Sequence, residues 1–495
     1  MVVVALVLIA LATACLAAVW PTLAILIPLL CVTCVLAARA PTSALLVALL
    51  VLGFVGTIKA RFLAEGVPSP GEAGAVLIDL FLLAAFAGLV AGERGRSVRM
   101  IWSRAGRAER IVWSAFLAWL VLSVFQIAQG DRLVDAFQGF RLTQAYVAFV
   151  VVGLIVAHRV APRPERFVAP LLGVLAVIAG YATLRWLVGP SEWESAFALE
   201  RSEHSQFGEL SRALGSFSSP TEIASFLVPV ATFALIVGLL NARLRLLGLA
   251  TFAMATIAVI YSYVRIGVAA IAVAALVTGL VIVLSRAPSV RTKVLAMAFV
   301  LALAGGTYVA AVAASDESEQ TSARARGLSD PLADESLKIR WDRWERTVEQ
   351  IRDEPLGSGL GTVGNAATVG RRLTYTDNYY LKIAREQGIP GVLLFVVGLV
   401  GTVVLLGVRL ARANPLERPL GVAALGTGAA ILTMLVLGET LELPGKVLIW
   451  LVMGMGLWDV YCQPRSARST AAPVVARAAQ PGRVSEEREY DAERA

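Results

Sequence analysis

Asp377-Asn378-Tyr379-Tyr380-Leu381-Lys382-Ile383-Ala384-Arg385-Glu386-Gln387-Gly388-Ile389-Pro390-Gly391, running on into Val392-Leu393-Leu394-Phe395, is where a long polar stretch ends and the chain turns apolar again. The polar stretch covers residues 314–388 and has apolar blocks of span length on both sides. A segment of that polarity between two spans must lie in water. The expected fold is an all-α polytopic integral membrane protein with one large, partly helical loop outside the bilayer.

Composition agrees. Hydrophobic residues make up 57% and charged residues 16%, where a soluble domain typically has ~25% charged. Mean hydropathy is +0.73. At about 20 apolar residues per crossing of a ~30 Å hydrocarbon core, the chain offers about fourteen blocks, with 12–14 spans expected. They lie near 2–19, 22–38, 42–58, 73–91, 111–128, 142–158, 167–188, 220–240, 244–262, 266–285, 294–313, 389–410, 419–438 and 444–462. The resulting organisation is an N-terminal helical part (1–188), further spans with an outer loop at 189–219 (189–313), the large loop (314–388) and C-terminal spans (389–462). A tail at 463–495, rich in Ala, Arg, Glu, Pro and Ser without apolar period, is expected to be disordered.

Basic residues set the expected orientation, because short cytoplasmic connections retain Lys and Arg. Arg94, Arg96, Arg99, Arg104, Arg107 and Arg110 form the densest group. Alternation from it makes 158–166, 241–245, 286–293 and 409–418 cytoplasmic, both termini cytoplasmic, and 129–141, 189–219, 314–388 and 439–446 outer. The net charge of +8 is then a topological signal, and no nucleic-acid partner is expected. Cys31 and Cys34 sit in an apolar span without nearby His or carboxylate, as packing residues rather than metal ligands. No Walker loop, dinucleotide fingerprint or H-E-x-x-H occurs, and neither a metal nor another cofactor is expected.

Four places carry candidate chemistry. Arg212 precedes a Gly/Ser/Pro-rich helix start, 213–222, where unpaired N–H groups favour anions. Arg265 is the only charge between Leu246 and Leu284, at a tight turn joining two spans; a charge at the membrane marks a functional candidate. Leu337, Trp341, Trp344, Val348 and Ile351 recur at helical spacing among charges, so the long loop contains an amphipathic helix, stopped by Pro355-Leu356-Gly357. Asp377, with Asn378 and Tyr379, stands just before the helix that leads back into the bilayer, as a cap, a base or an arginine partner.

In order, R-x-x-G-x-F-x-x-P from Arg212, S-x-x-R ending at Arg265, R-W-x-x-W from Arg340, I-x-x-x-P-L-G-x-G-L-G from Ile351 and D-N-Y-Y-L-x-x-x-x-E-x-G-I-P-G from Asp377 resemble the O-antigen ligase and polymerase superfamily. The resemblance covers roughly Arg212 to Leu393. It implies a GT-C-like glycosyltransferase of the inner or plasma membrane that moves a glycan from an undecaprenyl diphosphate carrier to a glycan or glycolipid hydroxyl on the outer face, without nucleotide sugar or required metal. Membrane lipid and other polysaccharide-assembly proteins are the further partners implied. Arg212 and Arg265 would contact the diphosphate; Asn378, Tyr379, Trp341 and His204 would line the substrate. Asp377, Glu222, Glu209 and His204 are candidate proton acceptors, with inversion expected. Asp377 falls where many ligases carry His, which favours a polymerase. The alternative class is a transporter or flippase of lipid-linked glycans or small anions, which calls for repeated halves with charges at mid-membrane; no such duplication is present in the sequence.

Overall fold

The computed structural model describes residues 20–93, 95–129, 133–161, 163–201, 206–207, 210–211, 214–285, 289–290, 293–294, 306, 335–364 and 376–462. Its elements are α1 (Pro21–Arg39), α2 (Pro41–Gly53), α3 (Val55–Ala64), α4 (Pro70–Ala91), α5 (Arg96–Arg104), α6 (Arg107–Gln129), α7 (Leu133–Thr143), α8 (Phe149–Val160), α9 (Glu165–Val188), α10 (Glu192–Arg201), α11 (Pro220–Leu240), α12 (Arg245–Tyr261), α13 (Arg265–Leu284), α14 (Glu335–Asp353), α15 (Tyr379–Arg412), α16 (Pro419–Met434) and α17 (Lys446–Tyr461). A two-residue antiparallel pair, Gln206–Phe207 with Leu210–Ser211, is the sole sheet among the described residues. Proline opens α1, α2, α4, α11 and α16, where its missing N–H removes no intrahelical bond.

Every apolar block read from the sequence carries a helix except 2–19 and 294–313, which fall largely outside the described residues. Among the described residues, eight helices are long and apolar enough to cross a membrane, or nine if α2 and α3, bent by 58°, form one span. The sequence suggests a straight span over 42–58; the chain instead breaks at Phe54, where the N–H groups of Gly56 and Thr57 turn to the Ser216 carbonyl. The apolar helices α12, α16 and α17 are shorter, at 17, 16 and 16 residues. The expected tail, 463–495, lies outside the described residues.

Helices α11, α16 and α17 form the centre, with α11 buried along nearly its whole length. α1, α4 and α6 instead expose Ile25, Val35, Leu83, Val121 and Phe125 to the surroundings, an apolar surface suited to lipid. Between helices already in lipid, close packing rather than water exclusion supplies the attraction. The α8–α17 crossing shows how. A Cβ on Gly153 would lie 2.2 Å from the Leu451 carbonyl oxygen, and one on Gly454 would lie 2.0 Å from that of Val150, so this approach requires both glycines.

The connections gather at two ends. At one, Arg409 pairs with Glu109 (2.8 Å), Arg104 donates to the Cys462 carbonyl (2.6 Å), Arg418 to that of Asp459 (2.6 Å) and Ser285 to that of Ala413 (3.0 Å). At the other, Tyr379 N–H meets the Leu435 carbonyl (2.9 Å), Gln126 that of Leu356 (3.3 Å) and Gln387 the Ser123 hydroxyl (3.1 Å). The second end holds the candidate site.

Candidate functional site

Among the helices that begin at this end are α11, α13, α15 and α17. Gly267, in the first turn of α13, packs on Ala224 in the first turn of α11, and Gly445, just before α17, lies against Ser225. Thr376 and Tyr379, at the head of α15, bond to Glu439 and Leu435 in the connection that leads to α17. Helix N-termini carry partial positive charge and unpaired N–H groups, so their gathering favours an anion at this end.

The two glycine-rich motifs are halves of one joint. α15 breaks at Gly388 (φ 71°, ψ −175°), ahead of Pro390. The bonds lost there are replaced by the turn after α14: Ser358 N–H donates to the Arg385 carbonyl (2.9 Å), Gly359 N–H to that of Glu386 (3.0 Å), and Ile389 N–H to that of Pro355 (2.9 Å). The backbones lie so close that a Cβ on Gly388 would stand 2.4 Å from Leu356 C, and one on Gly357 2.5 Å from the Glu386 carbonyl oxygen. Both glycines have positive φ, a region that side-chain-bearing residues adopt at a cost. The spacing that the sequence presents as two motifs is one backbone splice fastening the long loop to the membrane helix.

Beneath the splice is a buried ionic cluster. Lys382 is fully buried and uses its ammonium on Glu442 (2.7 Å), Glu386 (2.9 Å) and the Val363 carbonyl (2.8 Å). Glu386 also accepts from Gly361 N–H (3.0 Å). Three bonds exhaust the three donors of an ammonium. Glu439 lies beside this cluster, accepts from the N–H of Thr376 (3.0 Å) and lies 2.9 Å from the Thr376 hydroxyl; its Oε2 has no hydrogen-bond partner among the described residues. Burial first, and then repulsion by Glu442, push the Glu439 carboxyl up to about 8.

Above the cluster, Asp377 has φ 50°, one of three non-glycine residues with positive φ among the described residues. The cap of α15 is Asn378, whose Oδ1 accepts from Tyr380 N–H (2.9 Å) and Leu381 N–H (3.1 Å). Asp377 is thereby released from capping, and its carboxylate instead takes the guanidinium of Arg343, on the loop helix α14. Arg340, one turn earlier, reaches the Leu437 carbonyl (3.4 Å). Trp341 is exposed on α14, while Trp344, 5.9 Å away between ring centroids, is half-buried.

The remaining sequence-selected residues divide as follows. Arg265 opens α13 and is half-buried, after Tyr263 at φ 56°. Glu222 sits in the first turn of α11, where Ser219 accepts its N–H (3.2 Å) and its own carboxylate accepts from Ser218 N–H (2.8 Å), an arrangement akin to a capping box. Tyr379 is fully buried against Phe395 (5.6 Å between centroids), a packing role for a residue read as substrate-lining. Arg212, His204 and Glu209 fall where side chains lie outside the described residues.

Residues 249–396 match the family model described as O-antigen ligase. That stretch is what the chain shares with the O-antigen ligase family. Among curated proteins, none matches it. The matched stretch runs from α12 through α13 and α14 to the first half of α15, and so includes Arg265, the splice, Arg343 and Asp377. Glu439 and Glu442, which complete the buried cluster, lie beyond the matched stretch. Sequence reasoning missed that cluster, although Lys382 and Glu386, four residues apart at the start of a span, were its visible sign.

Proposed function

We propose that this protein is a glycosyltransferase that extends a surface polysaccharide, taking glycan from a polyprenyl diphosphate carrier and passing it to a hydroxyl of a second glycan on the outer face of the membrane. The observation that carries the reading is the match of residues 249–396 to the O-antigen ligase model, within which Asn378 is the cap of α15 and the Asp377 carboxylate is turned to Arg343 instead. An aspartate there, where many ligases carry His, favours polymerase over ligase. A GT-C-like arrangement belongs to the same reading.

In the transfer, the acceptor oxygen attacks the anomeric carbon, the bond from that carbon to the diphosphate oxygen breaks, and the acceptor proton leaves to a carboxylate. Negative charge grows on the diphosphate. Arg212 and Arg265 are assigned to hold it, since guanidinium groups bind phosphoryl oxygens in pairs and four helix N-termini reinforce them. Asp377 accepts the hydrogen bond or the proton of the acceptor, and exposed Trp341 offers a ring on which a sugar can stack. Attack opposite the leaving group inverts the anomeric centre.

A deletion strain tests the reading. Loss of a polymerase leaves single repeat units on the surface, whereas loss of a ligase leaves long chains on the carrier. Complementation with Arg265→Lys is expected to restore expression but little polymer, because lysine lacks the paired donors. Normal surface polymer in the deletion strain would overturn the assignment.

A further inference from the structure

We propose that Glu439 is a positioning residue for glycosyl transfer: its carboxyl, acting through Thr376, holds Asp377 and Asn378 in the conformation the reaction needs. This rests on the reading of Asp377 given above. Glu439 lies outside the matched domain and touches neither Arg343 nor Asp377 in any described hydrogen bond, so its influence must travel through Thr376.

The geometry around Thr376 is overdetermined. Its single hydroxyl faces two oxygens, Glu439 Oε1 and the Asn378 carbonyl, each at 2.9 Å. One hydroxyl proton serves both contacts only if Glu439 carries a proton of its own. Glu439 then donates to Thr376, and Thr376 donates onward to Asn378. That relay closes around Asp377, the residue at φ 50°. A non-glycine residue in that region costs about 1–3 kcal/mol and persists only when its surroundings fix it. The relay on one side and Arg343 on the other supply the fixing.

The surroundings favour a neutral Glu439. Glu442 is on the same short turn, and Glu386 and Lys382 face it from α15; the Lys382 donors already serve Glu386, Glu442 and Val363. Lys446, at the head of α17, spends its ammonium on the Leu142 and Glu442 carbonyls and the Tyr146 ring. The Tyr379 hydroxyl carries no charge to offer, Arg343 is taken by Asp377, and Arg340 by the Leu437 carbonyl. Over Oε2 stands Gly364, whose missing Cβ would come within 2.5 Å of it, so Gly364 itself supplies no partner. Burial first and repulsion by Glu442 second push this carboxyl up to about 8, against the pull of Lys382. Ionisation turns the Thr376 hydroxyl toward Glu439 alone, releases Asn378 and loosens Asp377.

The test uses the full-length chain in a complemented deletion strain, with surface polymer measured across external pH, together with the purified protein. In the wild type, polymer formation should fall as pH rises through about 8, with loss over the same range of an infrared band from a protonated carboxylic acid. Glu439→Gln should abolish that band and flatten the alkaline fall, with polymer of wild-type order near neutrality. Glu439→Ala should reduce polymer about 10- to 100-fold. Thr376→Val, which leaves the cluster charges in place, should lower it alike. A wild-type alkaline fall in Glu439→Gln, or full polymer in Glu439→Ala and Thr376→Val, overturns the positioning role and leaves the reading of Asp377 standing. Full polymer in Asp377→Asn removes that reading instead, and this inference with it.

Discussion

Arg343 and Asp377 join the loop helix to the residue just before the cap of α15, so the long loop and the membrane helix meet at an ion pair as well as at a backbone splice. The pair is partly exposed, with 41% of the Arg343 and 26% of the Asp377 side chain accessible. At that exposure an ion pair contributes only ~0–1 kcal/mol to stability. Its orientation of the carboxylate matters more than its energy.

Asp377→Asn separates those two roles. Asparagine tolerates positive φ, and the cap at Asn378 is untouched. The variant should therefore express normally and shift the melting point little, while polymer formation collapses. Arg343→Ala should show the same pattern more weakly. Polymer at the wild-type level in Asp377→Asn would leave Glu222 and His204 as the proton acceptors to examine.

Gly388→Ala should open the splice. Its φ of 71° disfavours any Cβ, and that Cβ would overlap Leu356 and the Pro355 carbonyl at 2.4 Å. Strain and overlap together should cost more than about 2 kcal/mol. Gly66→Ala is the control: φ is 68° there too, but nothing lies within 4 Å, so only the conformational cost of ~1–2 kcal/mol remains. Thermal unfolding of the two purified variants should rank them in that order.

Lys382→Met removes the cation from a site where Glu386 and Glu442 are themselves buried. Breaking a buried pair from one side typically costs about 3–5 kcal/mol, since the remaining charge is uncompensated. The variant should accumulate poorly in the membrane. Adding Glu442→Gln should recover part of the loss, and an equal yield of the single and double variants would argue against the pairing.

Orientation is open to a direct check. With the native cysteines replaced, a cysteine at position 329 should react with an impermeant reagent on intact cells, and one at position 103 should not. The reverse pattern would place the site on the cytoplasmic face.

Hydropathy made the spans legible because a ~20-residue apolar run has few alternatives in a membrane protein. The helix from Glu335 to Asp353 was legible from its spacing, and its stop from Pro355 and Gly357. The bend at Phe54 was not, since it depends on Ser216, far away in the chain. Nor was the pairing of the two glycine motifs: each looks like an independent turn until their backbones are seen to exchange hydrogen bonds. The sequence left open whether Asp377 is a cap, a base or an arginine partner. Asp and Asn cap about equally well, so Asp377-Asn378 leaves the choice to tertiary structure, which holds Asp377 by Arg343 and leaves the capping to Asn378.

Glu439 gives the chain a stability that depends on pH in a definite direction. Its carboxyl stands at about 8 in the folded protein against an ordinary 4.5, so the folded state binds its proton more tightly than the unfolded one. That contribution is fully present below about 4.5 and is lost as pH rises through about 8, at up to ~1.4 kcal/mol per pH unit. Glutamine cannot ionise and escapes the loss. The melting point of Glu439→Gln, measured beside the wild type in one detergent, should gain on it steadily from pH 5 to 8 and then run parallel. Other titrating groups are common to both proteins, so they cancel in the difference. A difference that stays constant across this range would mean that Glu439 is already ionised in the folded state, with the Thr376 hydroxyl pointing to it alone.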